Sequence, residues 1–275
     1  MPELPEVETI CRQLMKRILN KKIKSVGIFY PKVVKGVSRQ FFMRGIEGAK
    51  IFNVSRRAKF LLVHLSNKNT ILFHLKMAGR LVLKNKKVKP EKFTEIVFEL
   101  FGNENLVYDD LRRFGYMTII KTADLEKFFK DKEIGQEPLE VGFTFKIFKE
   151  LLVQKPRVKI KPLLMDQTFV AGVGNIYAQE ACFCAGILPN RVVGTLKNAE
   201  IKKLLECLKK VLRSAIKFGG TSSDAYVDAL GKRGKFVEHL KVYDRGGKKC
   251  FRCKNILKKE KLGGRGTVWC SGCQG

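Results

Sequence analysis

At 275 residues, with 45% hydrophobic and 10% aromatic content, the chain is long enough for two domains with real cores and too apolar to be disordered as a whole. Fifty-five Lys and Arg against 26 Asp and Glu give a net charge of +29, spread along the chain, and this positive field suits a polyanion, with nucleic acid the first candidate even if part of the excess is solvated surface. No run approaches the ~18 apolar residues of a membrane span, and the acidic start is the reverse of a signal peptide's basic one, so the protein is expected to stay in the cytosol with no membrane partner.

The chain opens Met1-Pro2-Glu3-Leu4-Pro5-Glu6-Val7-Glu8. Removal of Met1 would leave a proline with a free secondary amine beside a carboxylate. With reference pKa values of about 7.8 for an α-amino group and 10.4 for lysine, roughly a third of the former but only about one in a thousand of the latter is neutral near pH 7.5. Proline's own basicity and the nearby Glu3 and Glu6 make that third an upper figure. A secondary amine attacking an aldehyde-like carbon gives an iminium that cannot neutralise itself by N–H loss, so it persists as an electron sink. A structural reading stands beside this one: Pro5 in a helix's first turn, with glutamates at the positive end of its dipole. Val7, Ile10, Cys11, Leu14 and Ile18 recur at helical spacing, which predicts an amphipathic helix from about 5 to 19.

From about 23 to 121 the pattern is short apolar or alternating runs with turn signals: 23–30, 49–54, 60–65, 70–75, 81–83, 96–101, 106–108 and 116–120. These predict a β-sandwich. Residues 134–145 lose periodicity and read as a linker. Helices follow at 146–153, 163–170, 175–185 and 197–217. Gly172-Val173-Gly174-Asn175 precedes one of them and either turns backbone amides toward a phosphate or makes a tight interhelical turn. The small-residue segment from Gly219 to Gly234 is either a mobile loop over a ligand or a tether.

Eight cysteines divide into four scattered ones (Cys11, Cys182, Cys184, Cys207) and a terminal set, which argues against a disulfide framework. Cys250 and Cys253 form one C-x-x-C pair, and Cys270 and Cys273 another, with 16 residues between. Two such knuckles complete a tetrahedral four-sulfur shell with no open position, the structural type of zinc site. Between them, Arg265 sits in Gly263-Gly264-Arg265-Gly266-Thr267, which suits a hairpin tip offering a guanidinium fork to a phosphate. The expected plan is an α+β multidomain chain: N-terminal helix and β-sandwich over 1–133, linker 134–145, helical domain 146–234, zinc hairpin 240–275.

Taken together, Pro2 to Glu8, Arg56-Arg57-Ala58-Lys59, His74-Leu75-Lys76-Met77-Ala78-Gly79, Asp110-Leu111-Arg112-Arg113-Phe114-Gly115, Gly172 to Tyr177 and the cysteine knuckles resemble bacterial formamidopyrimidine-DNA glycosylase. The resemblance runs the length of the chain. It implies a helix-two-turn-helix domain between the sandwich and the zinc hairpin, and excision of oxidised purines (8-oxoguanine, formamidopyrimidines) from double-stranded DNA with cleavage at the abasic site, by a monomer carrying one Zn2+. It implies that Pro2 attacks C1′, that Glu3 supplies the proton for ring opening, and that Lys59 and Arg265 assist β- and δ-elimination. Met77, Arg112 and Phe114 match the triad that fills the hole left by the extruded nucleotide. Core packing is the other reading for Met77 and Phe114, and a solvated lysine for Lys59. Asn175 and Lys161 match residues holding the kinked backbone, and the 219–234 loop matches a base-covering loop.

Two departures stand out. Glu91-Lys92-Phe93-Thr94-Glu95 replaces a histidine-bearing stretch, and Phe93 cannot donate to a phosphate. The basic run before Ile160-Lys161-Pro162 is broken by Pro156, leaving Lys155, Arg157 and Lys159 as substitutes. His64 and His239 read as structural or surface residues. Two other functions compete: an endonuclease VIII-like glycosylase for oxidised pyrimidines, which shares the Pro2-Glu3 start, and a non-catalytic zinc protein that binds DNA by charge.

Overall fold

The computed structural model describes residues 1–85, 88–222 and 225–275, which pack as two compact units: Met1–Asp131 with Phe218–Val237, and Lys132–Lys217 with Glu238–Gly275. In the first unit, helix α1 (Leu4–Ile18) starts at a capping box in which the Glu3 N–H donates to Glu6 Oε2 at 2.8 Å. Its apolar stripe, Val7, Ile10, Leu14 and Ile18, is fully buried, as the spacing predicts.

Eight strands form two antiparallel four-stranded sheets: β1 (Ile23–Ile28), β2 (Ile51–Arg57), β3 (Phe60–Leu65), β4 (Asn69–His74), β5 (Gly79–Lys84), β6 (Thr94–Leu100), β7 (Glu104–Asp110) and β8 (Tyr116–Lys121). One sheet runs β1-β6-β7-β5 and the other β2-β3-β4-β8. Their inner faces share one core with the α1 stripe, including Val26, Val63, Ile71, Phe73, Phe98 and Tyr108. Two short helices, α2 (Arg39–Arg44) and α3 (Leu125–Asp131), lie outside the sequence expectation. The first depends on a local cap, the Ser38 hydroxyl accepting from Phe41 N–H at 3.2 Å, which is too small a signal for periodicity to register.

The segment Phe218–Val237, expected with the helical domain, packs in the first unit instead. Thr221 N–H donates to Glu6 Oε1 at 2.8 Å, Gln13 Nε2 to Asp228 Oδ2 at 2.8 Å, and Leu83 N–H to the Ala229 carbonyl at 2.8 Å. Of the expected base-covering loop, Ser223 and Asp224 lie outside the described residues.

The second unit contains α4 (Phe145–Val153), α5 (Ile160–Met165), α6 (Asn175–Ala185), α7 (Asn198–Lys217) and the hairpin β9 (Lys258–Leu262) and β10 (Arg265–Trp269). Helix α5 starts earlier and stops sooner than the expected 163–170. Pro162 is tolerated in its first turn, and the Asp166 carboxylate takes the Thr168 N–H and hydroxyl, both at 2.9 Å, which favours a turn over a further helical turn. Residues 134–145 are packed rather than linking. Gly135 N–H donates to Gln167 O at 2.8 Å, Gln136 bridges Val170, and Phe143 is buried. A Cβ on Gly135 would come within 2.5 Å of the Thr168 carbonyl, so this close backbone approach requires glycine. The scattered cysteines, read as arguing against a disulfide framework, include one bridged pair, while Cys11 and Cys182 are free. Cys184 on α6 and Cys207 on α7 are bridged, with Cα atoms 5.6 Å apart, because the packing of these two helices brings them face to face.

Candidate active site and nucleic-acid interface

Pro2 and Glu3 are buried at the start of α1, where the helix dipole favours a carboxylate. The beginning of this helix is held from two directions. Glu6 accepts from the Glu3 and Thr221 N–H groups, and Glu8 pairs with Arg56 at 2.9 Å and Arg12 at 2.7 Å. Burial works against the Glu8 charge, but the two guanidinium groups hold its carboxyl below the ordinary value. Arg56 also donates to the Ala58 carbonyl at 2.9 Å, inside the two-residue turn Ala58-Lys59 that joins β2 to β3. The Glu8–Arg56 pair therefore fastens the Lys59 turn to the helix that begins at Glu3. Lys59 is only 6% exposed, so the reading of it as a solvated lysine fails.

The second cluster consists of two loops meeting at Tyr108. Met77 is half-buried in the loop after β4, and Arg112 and Phe114 are exposed in the loop after β7. The Tyr108 hydroxyl lies so close to Gly79 and Gly115 that a Cβ on either would collide with it. The buried Asp110 carboxylate clasps the second loop, accepting from the N–H groups of Arg112 at 2.9 Å, Phe114 at 3.1 Å and Gly115 at 2.7 Å. Arg113 takes φ +54°, and the Arg112 guanidinium lies 4.9 Å from the Phe114 ring centre. Arg112 and Phe114 are thus projected from a loop whose backbone is fixed by one buried carboxylate. The arrangement suits insertion into a base stack, and core packing does not describe Phe114, which is 51% exposed.

Sequence reasoning passed over Glu95. A bulge between Thr94 and Ile96 turns it inward, where it is 1% exposed and neither carboxyl oxygen has a hydrogen-bond partner among the described residues. Its carboxyl is pushed up to about 7, first by burial and then by the negative charge of Asp110, with Arg113 opposing and Asp109 adding to it. Because this value is raised above the ordinary 4.5, the native state holds the proton more tightly than the unfolded chain does. Stability is therefore expected to decline as pH rises from about 4.5 to about 7 and to level off above that. Urea midpoints from pH 4.5 to 8 should show this decline in the native chain and lose it in Glu95→Gln. Parallel profiles would refute the assignment. His64, by contrast, is structural, lying between the Ser55 and Thr70 hydroxyls at 2.7 and 3.0 Å.

In the second unit the four terminal cysteine sulfurs lie within 4.8 Å of one another, with Cys253–Cys270 at 3.3 Å and Cys250–Cys273 at 3.9 Å. A tetrahedron with Zn–S bonds of about 2.3 Å has edges of about 3.8 Å, so the donor set fits one structural zinc. Gly272 is required here, since a Cβ would lie 2.6 Å from the Asn255 amide and 3.2 Å from Cys253 Sγ. The lead into this module is anchored by buried Glu180, which accepts from the N–H groups of Lys241, Val242 and Tyr243 at 2.9–3.0 Å. Arg265 is exposed beside the turn Gly263-Gly264, where both residues have positive φ. Asn175 opens α6 and donates to the Gly266 carbonyl at 3.2 Å, and Arg157 is exposed in the loop before α5. Lys161 departs from its expected place at the DNA backbone. It is fully buried, with Nζ donating to Thr267 Oγ1 at 2.9 Å, because its position on α5 faces the hairpin and not solvent.

A helix-two-turn-helix unit with a zinc hairpin, following a sandwich that begins at Pro2-Glu3, defines a base-excision DNA glycosylase. Residues 1–117 match the formamidopyrimidine-DNA glycosylase N-terminal domain, 134–227 its H2TH domain, and 247–275 the zinc finger found in FPG and IleRS. The chain belongs to the formamidopyrimidine-DNA glycosylase family, whose members carry glycosylase and abasic-site lyase activity. It is 41% identical over 274 residues to the formamidopyrimidine-DNA glycosylase of Carboxydothermus hydrogenoformans, covering 100% of both chains, and 41% identical to that of Lactococcus lactis, covering 100% and 99%. Among solved structures it is similar to Lactococcus lactis Fpg in complex with abasic-site DNA, with TM-score 0.93, 38% identity and 99% of each chain covered. The same protein in complex with DNA containing an oxidised pyrimidine gives TM-score 0.92, at 37% identity and 99% coverage of each chain. No helix among the described residues is long and apolar enough to cross a membrane.

Proposed function

We propose that this chain removes oxidised purines, 8-oxoguanine and formamidopyrimidines, from duplex DNA through a covalent intermediate on Pro2. The observation that carries the reading is the start of α1, where Pro2 and Glu3 are buried and anchored through Glu6 to Thr221 and through Glu8 to the Lys59 turn. With Met1 removed, the Pro2 nitrogen attacks C1′ of the extruded nucleotide and the base leaves. Glu3 donates the proton that opens the sugar ring, giving an iminium. The iminium acidifies the C2′ protons. β-Elimination, assisted by Lys59, expels the 3′ phosphate, and δ-elimination, assisted by Arg265 at the second phosphate, expels the 5′ one and leaves a one-nucleoside gap. Met77, Arg112 and Phe114 fill the hole left by the base, with the Arg112 guanidinium facing the orphaned cytosine.

Asn175 and Arg157 grip the kinked backbone, and one monomer with one structural zinc serves each lesion. The four-cysteine cluster, the net charge of +29 and Arg265 exposed beside the hairpin turn support DNA binding, and the protein works on the nucleoid in the cytosol. The Lactococcus lactis complex with an oxidised pyrimidine favours a second, wider specificity for this chain.

The test is borohydride trapping on duplexes carrying 8-oxoguanine opposite cytosine, an oxidised pyrimidine, or no lesion, with mass spectrometry of the cross-linked peptide. A cross-link at Pro2, strongest with the oxidised purine, is the expected result. Preference for the pyrimidine would move the assignment to the endonuclease VIII-like reading. No trapped species from Met1-free, zinc-loaded protein would leave a DNA-binding protein without this chemistry.

A further inference from the structure

The hairpin that bears Arg265 is a two-stranded ribbon, and an isolated ribbon of this length is marginal in water. Its outer strand is not left open. Buried Gln179, on α6, accepts from Val268 N–H at 2.7 Å through Oε1 and donates to the Gly266 carbonyl at 3.2 Å through Nε2. One side-chain amide thus meets an N–H and a C=O of β10 as a neighbouring strand would. The amide is itself oriented by a second donation, Nε2 to Asn175 O at 2.8 Å within α6.

On β10 between these two contacts lies fully buried Thr267, whose hydroxyl accepts from Lys161 Nζ at 2.9 Å and donates to the Arg265 carbonyl at 3.0 Å. The carbonyls of Arg265 and of the residue after it are therefore both fixed by side chains, while the Arg265 side chain itself stays exposed. At the turn, a Cβ on Gly263 would stand 3.2 Å from the Pro162 ring, so α5 also backs the tip.

We propose that Gln179, together with Lys161 acting through Thr267, is a positioning residue that presets the backbone of Arg265 for its phosphate. This rests on the reading of Arg265 as the δ-elimination residue. A guanidinium on a fixed Cα loses less freedom on engaging a phosphate than one on a fraying ribbon, and the saving appears only in the step that needs that phosphate. The excision and β-elimination steps, run from Pro2, do not draw on it.

The experiment follows single turnovers on a duplex with an abasic site and measures the ratio of β- to β,δ-elimination products for Arg265→Ala, Gln179→Leu, Thr267→Val and Thr267→Ser. Zinc content and borohydride trapping are measured on each. Gln179→Leu and Thr267→Val should raise the ratio in the direction of Arg265→Ala, by about tenfold, the loss of about one hydrogen bond's worth of stabilisation. Trapping should stay within about threefold and zinc at one per chain, while Thr267→Ser, which keeps the hydroxyl, should restore the native ratio.

If Arg265→Ala shifts the ratio and neither Gln179→Leu nor Thr267→Val does, the positioning role is overturned while the reading of Arg265 stands. If Arg265→Ala leaves the ratio unchanged, that reading falls and the positioning role with it. Should Gln179→Leu lose its zinc, the comparison of Thr267→Val with Thr267→Ser decides.

Discussion

Replacing Pro2 with glycine is expected to lower excision of an oxidised purine by at least about 100-fold, about 2.7 kcal/mol of transition-state stabilisation, with affinity for lesion DNA within a few-fold of native. Glycine keeps an N-terminal amine, so the variant separates the presence of an amine from the properties of this one. A primary amine forms an imine that sheds its charge by losing N–H, while the proline iminium stays cationic and keeps drawing electrons through both eliminations. The loss should fall on the chemical step because Pro2 precedes the helix and contributes none of its cap. Glu3 and Glu6 form the capping box, and Thr221 and Arg56 secure it further on. Glu3→Gln tests the neighbouring role, since an amide can still accept a backbone N–H at the cap but donates no carboxylic proton. It should retain folding and lose excision. Single-turnover excision rates and filter-binding affinities on the same 8-oxoguanine duplex decide both, and unchanged turnover in Pro2→Gly would remove Pro2 from the chemistry.

The parts of this molecule legible in the sequence are those whose signal is local. The α1 stripe recurs at helical spacing, the strand runs are bounded by turns, and the four terminal cysteines announce their geometry by two C-x-x-C pairs. What escaped depends on which way a residue faces or on contacts distant along the chain. The resemblance put Lys161 among the residues holding the DNA backbone, and only the packing of α5 turns its ammonium inward to Thr267, 106 positions away. The return of 218–237 to the first unit depends on contacts such as Thr221 to Glu6, 215 residues apart, which no periodicity encodes. The bridge between Cys184 and Cys207 likewise exists only once α6 and α7 are packed. In the loops after β4 and β7, sequence marked Met77, Arg112 and Phe114, but the device that fixes these loops lies one layer behind, in the Asp110 carboxylate and in a tyrosine hydroxyl that fits only because residues 79 and 115 are glycine.

Removing the zinc, by a chelator or by replacing Cys250, Cys253, Cys270 and Cys273 with serine, is expected to unfold the hairpin and weaken DNA binding by at least about 100-fold. Structural zinc binding is worth about 10–16 kcal/mol in isolated fingers, more than the whole net stability of many domains. The module's own apolar core is small, and its remaining anchors are polar contacts such as those from Gln179 and Glu180. Its buried cluster is Phe183, Val242, Leu257 and Val268 with two of the metal-binding cysteines, so the ligands are themselves a third of the core. Strand β10 runs into Cys270 without an intervening residue, and release of that thiolate frees the strand carrying Arg265, Thr267 and the Gln179 contacts. The molecule contains one tryptophan, Trp269, at the end of this strand, so its emission reports the event directly. A red shift on zinc removal, parallel to the loss of DNA affinity, is the expected result. The first unit has its own core of two sheets and α1 and should keep its melting transition. Zinc-free protein with unshifted Trp269 emission and undiminished affinity would show that the hairpin stands without its metal, and the role given to the four cysteines would then be wrong.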